Sequence, residues 1–173
     1  MKRITVALMA LAIIVFAVSC STTQASDVEP VIREVKISDY TAKEYDANQV
    51  YAMLERFVKD AYEGDEDVKI SYDKDAKSIL ISGLELSSNV GALAQDGWIV
   101  VDLKFEAQDD KAIFSMLFVD SYTYIYLGPG KKKSSQGITE YGMKTLDYQS
   151  QYIADQFQSV LGTYSYYLDN GLI

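Results

Sequence analysis

Histidine is absent from this chain of 173 residues, and Cys20 is its only cysteine. Those two shortages exclude His-based catalytic triads, Cys–His nucleophiles, zinc sites built on His or Cys, and any disulfide within the chain. Positive charge is scarce as well: 16 basic residues stand against 25 acidic ones, a formal balance of −9. A surface of that sign repels nucleic acid and anionic headgroups, and Lys131-Lys132-Lys133 is the one basic cluster that interrupts it. The balance therefore argues against a nucleic-acid partner. A long apolar run is also lacking. The stretch from Ile4 to Val18 is shorter than the roughly 20 residues that a membrane-spanning helix needs. What is present is an apolar share of 49%, ordinary for a globular protein and too high for a disordered one.

The amino terminus has the three-part order of a secretory signal. Lys2 and Arg3 supply the positive start, Ala7 to Val18 the apolar stretch, and Ser19 the small residue ahead of Cys20. The ending Ala17-Val18-Ser19-Cys20 resembles the lipobox of bacterial lipoproteins, with Ala17 where that family commonly has Leu. The resemblance implies cleavage after residue 19, diacylglycerol on the Cys20 sulfur and an acylated new amino group. Ser21 stands where Asp commonly retains such proteins at the inner membrane, so the resemblance implies an outer-membrane lipid anchor in the cell envelope. Each buried acyl methylene adds about 0.8 kcal/mol, so two or three chains hold a protein at a membrane durably. Loss of Lys2 and Arg3 with the leader moves the formal charge from −9 to −11.

Residues 20–30 are polar up to Pro30 and read as a lipidated tether. Residues 31–173 then form one α+β domain, with neither a repeat nor a second shift in composition to divide them. Val31, Arg33, Val35 and Ile37 alternate as a first strand. Val50, Met53, Leu54, Phe57, Val58 and Ala61 recur at helical spacing behind a capping box of Asp46 and Gln49, and Gly64 ends that helix. Val68 to Tyr72 and Ser78 to Leu84 predict a hairpin. Trp98 to Ala107 and Ala112 to Val119 predict a second, continued by Tyr122 to Leu127 through a bulge near Asp120 and Ser121. Residues 85–97 and Gly128 to Gly137 are expected to be loops. Leu146, Ile153, Phe157, Val160, Leu161, Tyr164 and Leu168 mark a long closing helix. The expected architecture is an antiparallel sheet of about five strands, with an N-terminal and a long C-terminal helix packed on one face.

Three segments carry a further resemblance: Val31 to Ile37, Tyr45 to Tyr62, and the Asp73 turn leading to Ile79-Leu80-Ile81-Ser82-Gly83. With the Val100 to Val119 hairpin, they resemble a domain-of-unknown-function family common in Bacteroidetes envelope proteins. This chain has Asp110-Lys111-Ala112 where that family has Gly-Lys-Tyr. The resemblance implies a TATA-binding-protein-like, helix-grip fold and no activity.

Motifs that would carry chemistry do not hold. Gly128-Pro129-Gly130-Lys131 misses the phosphate-binding loop pattern: Ile125 stands five residues before Gly130, and Lys132 occupies the hydroxyl position. Counting a calcium loop from Asp73 puts Lys77, Ser78 and Leu84 where oxygen, glycine and glutamate belong, and counting from Asp65 puts Lys69 at the fifth position. Glu106, Asp109, Asp110 and Asp120 lie near hairpin ends, where acids are ordinary turn residues, and nothing singles out a catalytic pair. Ser-x-x-Lys occurs once, at Ser71-Tyr72-Asp73-Lys74, where a strand runs into its turn. The motif needs one helical turn to bring serine and lysine together, so it offers no serine–lysine nucleophile here.

Tyrosine is the residue in excess, with 14 copies. Tyr122, Tyr124 and Tyr126 alternate and share one face of a strand; with Trp98 on that face they would form an aromatic platform. Tyr148, Tyr152 and Tyr166 lie off the apolar stripe of the closing helix. Such rings suit a protein interface or carbohydrate stacking, and strand propensity alone also accounts for tyrosine in a sheet. The expectation is a non-enzymatic envelope protein that meets the membrane through lipid on Cys20 and binds a protein or glycan partner, without cofactor or metal. Two alternatives stay open. One is an accessory or structural subunit of an outer-membrane assembly that docks by its closing helix. The other is a hydrolase of envelope polymers working through carboxylates.

Overall fold

The computed structural model describes residues 28–65, 67–88, 97–127 and 130–173; the segment read as a secretory signal and Cys20 lie outside them. The elements run β1 (Val31–Lys36), α1 (Ser38–Thr41), α2 (Ala47–Tyr62), β2 (Lys69–Asp73), β3 (Ser78–Ser88), β4 (Gly97–Gln108), β5 (Lys111–Leu127), β6 (Gly130–Gln136) and α3 (Glu140–Asp169). Helix α2 starts where its capping box requires. The Asp46 carboxylate accepts from the amides of Asn48 and Gln49, and the Gln49 side chain accepts from the Asp46 amide. Ala61, expected at the end of the apolar stripe, is exposed, while Tyr51 is buried in its place.

Five strands follow the order β1-β5-β4-β3-β2, and β6 pairs with β5. All pairs are antiparallel. Strand β5 is the spine, 17 residues long. One edge meets β4; the other meets β1 along residues 111–116 and β6 along residues 121–127. The expected loop at 128–137 is thus a strand over residues 130–136. Its polar, lysine-rich sequence has no apolar alternation, but the overhanging edge of β5 offers unpaired amides and carbonyls that a returning chain satisfies.

Odd-numbered residues of β4 from Ile99 to Ala107 point to the helices and are buried, as are Ala112, Phe114, Met116 and Phe118 of β5. Both long helices cover this face, and four phenylalanines form its centre. Phe57 and Phe114 each lie edge-on to Phe157, with centroids 5.3 and 5.4 Å away, and Phe105 closes the ring at 6.2 Å from Phe57 and 5.2 Å from Phe114. Helix α3 runs for 30 residues, about 45 Å, without interruption at Gly162. Its first turn packs closely at Gly142, where a Cβ would lie 2.8 Å from Ile138 Cγ1, just ahead of the helix, and 3.5 Å from Ile99 Cδ1 of β4. Val28 is also buried in the core, so the packed body includes this residue ahead of Pro30.

Two buried hydroxyls beside this core differ in an instructive way. Tyr45 Oη lies 2.5 Å from Ser165 Oγ and ties the loop before α2 to α3. Tyr51, only 7% exposed, has no partner for its Oη among the described residues. A buried hydroxyl without a partner costs roughly 1–3 kcal/mol, whereas a paired one contributes about 1 kcal/mol. Tyr51→Phe is therefore expected to raise stability by about 1 kcal/mol and Tyr45→Phe to lower it by about as much, read from urea denaturation midpoints. A loss in both variants would mean that the Tyr51 hydroxyl is satisfied.

Candidate binding surface

The sheet has a covered face and an open one, and a single extra residue decides which side the strand tyrosines take. Up to Phe118, even-numbered residues of β5 point to the helices. Val119 is then inserted as a bulge: Val101 pairs with Phe118, but Val100 pairs with Asp120. That insertion moves the following even-numbered positions to the open face. Tyr122 consequently lies directly opposite Trp98, as the platform reading expects.

The pair does not form an exposed platform. Tyr122 is 2% exposed and stands apart from the helix-side core, and Trp98 is half-buried, with Nε1 enclosed and without a partner among the described residues. Tyr124 and Tyr126 occupy register positions opposite Lys133 and Lys131, and their side chains lie outside the described set. Sequence reasoning missed the accessible apolar residues of this face. Leu117 and Val119 of β5, Ile32 of β1 and Leu80 of β3 are all exposed, among half-buried Val100 and Ile113. Charged residues frame them, with Lys104 paired to Glu106 at 3.0 Å and Lys111 to Glu34 at 2.8 Å.

The helix tyrosines are on the other side of the molecule. Tyr148 and Tyr166 are 66% and 60% exposed on the solvent side of α3, with Tyr152 at 49%. Tyr148 and Tyr152 are one turn apart, but Tyr166 follows 14 residues later, about 21 Å along the axis. Of the seven aromatic candidates, Trp98 and Tyr122 therefore lie on one side of the molecule and Tyr148, Tyr152 and Tyr166 on the other, so the described ones do not make one site. Tyr152 lies near Tyr62 of α2, whose phenol is pushed up to about 12, mainly by burial. Tyr164 is raised further, by burial and then by donating to Asp60 Oδ2 at 2.9 Å. These shifts follow from helix packing and mark no reactive group.

The acids considered for hydrolysis or calcium have structural employment. Asp110 Oδ1 and Oδ2 accept from the Ser38 amide at 3.0 Å and the Ser38 hydroxyl at 2.5 Å, and Asp109 Oδ1 accepts from the Ala47 amide at 2.9 Å. Asp73 Oδ1 accepts from the amides of Asp75 and Ala76 and so shapes its turn. Asp65 accepts from the Asp67 amide, and Asp120 from the Ser121 amide. Among the described residues no three acids converge on a point where a metal would sit. No helix among them is long and apolar enough to cross a membrane.

No protein-family model matches the chain, and no curated protein matches it. Solved structures do. A TBP-like protein from Parabacteroides distasonis aligns with a TM-score of 0.54 at 10% identity, over 82% of this chain and 98% of the other. The fold is TBP-like. A DUF4468 family protein from Bacteroides ovatus aligns at 11% identity with a TM-score of 0.47, over 77% of this chain and 84% of the other. The α+β expectation, with helices on one face of an antiparallel sheet, holds for this TBP-like domain. At such identity the likeness speaks for the fold alone, and function must come from the surface.

Proposed function

We propose that the protein is a non-enzymatic, lipid-anchored protein of the cell envelope, held at the outer membrane through Cys20, whose TBP-like domain binds a protein or glycan partner on its open sheet face. The observation that carries the binding reading is the exposed apolar group of Ile32, Leu80, Leu117 and Val119 on a face that neither long helix covers. Leu117 and Val119 share β5, and Ile32 lies diagonal to Leu117, while Leu80 stands two strands away across Lys104 and Ser115. Neighbouring exposed apolar residues such as those on β5 and β1 suit an interaction surface better than single ones do. The anchoring reading is supported by the leader and by the sequence Ala17-Val18-Ser19-Cys20.

The anchor is tested on full-length protein made in its native host. Intact mass should show acyl groups on the wild type, and Cys20→Ala should leave the membrane fraction. An unmodified thiol on the wild type overturns the reading. The surface is tested by crosslinking in intact cells. Leu117→Lys with Val119→Lys should remove the crosslinked species, while Tyr148→Ser with Tyr152→Ser should keep it. The reverse pattern would favour the alternative of an assembly subunit docked through α3, a reading supported by the exposed tyrosines of that helix.

A further inference from the structure

Strand β2 forms one end of the sheet, and among the described residues it pairs only with β3. Its sequence, Lys69-Ile70-Ser71-Tyr72-Asp73, complements itself when reversed. We propose that two copies of this chain pair antiparallel through β2 about a two-fold axis at Ser71, continuing the sheet from one copy into the next. This proposal is independent of the one above. A two-fold axis normal to the sheet sets residues of the same face opposite one another. About Ser71 it places Lys69 against the partner's Asp73 and Ile70 against the partner's Tyr72, each twice. Ile70 and Tyr72 are in register with the buried Ile81 and Ile79, so that pair falls on the helix side. Lys69 and Asp73 fall on the open side.

Moving the axis to Ile70 sets Asp73 against Asp67, and moving it to Tyr72 sets Ile70 against Lys74 and leaves Lys69 only Asp75 of the turn. Ser71 is therefore the register that pairs both charges within β2. They are also available. Lys69 takes part in none of the ion pairs among the described residues. Asp73 spends Oδ1 on its own turn and keeps Oδ2 for a cation across the seam. At the opposite end of the sheet, Glu34 and Lys36 of β1 are already engaged by Lys111 and Asp39. A lone β2 seam falls at the small end of specific interfaces, so the dimer should be weak and depend on concentration.

Sedimentation equilibrium of the full chain in detergent is expected to show a monomer–dimer equilibrium. Lys69→Asp or Asp73→Lys alone sets like charges opposite one another twice, and each should weaken the dimer about tenfold or more. The double variant Lys69→Asp/Asp73→Lys restores both pairs and should return to within about threefold of wild type. Ser71→Cys places its new thiol on the axis, within reach of its copy, and should give a covalent dimer on mild oxidation beyond any due to Cys20; Lys69→Cys should not. Each of three results overturns the proposal: a monomer at every concentration, a dimer indifferent to the charge swap, or equal crosslinking from positions 69 and 71.

Discussion

Phe157→Ala is expected to cost about 3–5 kcal/mol, a large share of the roughly 5–15 kcal/mol that holds a domain together. Phe157 is fully buried on α3, and its ring meets Phe57 of α2 and Phe114 of β5 edge to face. Removing it leaves a cavity between both helices and the sheet. It also strips two of the four contacts in the aromatic ring. Those neighbours sit on two different elements, α2 and β5, and cannot collapse together, so the cost belongs at the upper end of the range. Phe157→Leu keeps most of the volume and should cost about 1–2 kcal/mol. Urea denaturation of both variants checks the prediction. A loss under about 1 kcal/mol for the alanine variant would show that the helices are held chiefly elsewhere.

The second large effect is expected at Asp110, a turn residue by sequence and a tie-down by structure. Its backbone is left-handed, at φ 58°, a conformation that Asp and Asn tolerate better than most residues. Its carboxylate holds Ser38 at the start of α1, its amide donates to the Tyr45 carbonyl at 2.7 Å, and its carbonyl accepts from the Ile37 amide at 2.9 Å. Asp110→Ala loses charge-assisted bonds and adds strain, and should cost about 2–4 kcal/mol. Asp110→Gly relieves the strain and should recover about 1 kcal/mol of that loss, while Asp110→Asn keeps an acceptor and should be mildest. Equal losses for Ala and Asn would mean that the side-chain bonds to Ser38 contribute little.

Local signals were legible where one residue pattern had one physical meaning. The stripe from Val50 to Val58 and the Asp46–Gln49 box specify α2, because burial and capping agree. The bulge was expected at Asp120 and Ser121 and lies beside them at Val119. Its consequence was not readable, because period-two spacing says that Tyr122, Tyr124 and Tyr126 share a side but not which side. Strand β6 was hidden because its pairing is dictated by the overhang of β5 and not by its own polar residues. The bonds from Asp109 and Asp110 to residues 47 and 38 cross more than sixty positions of chain, a distance that no local pattern spans. The exposed apolar face was in the alternation all along, but its openness depends on both long helices choosing the other side.

The placement of β1 beside β5 also sets the timing of assembly. Its partners, Met116 to Lys111, are made some 75–85 residues after it, and Phe157 arrives later still. The earliest segment of the domain must therefore wait unpaired, and the local antiparallel pairs β2–β3, β4–β5 and β5–β6 are the units free to form first. Contacts this distant along the chain slow folding. A chain still emerging from the ribosome would expose the apolar residues of β1 until β5 and then α3 had emerged.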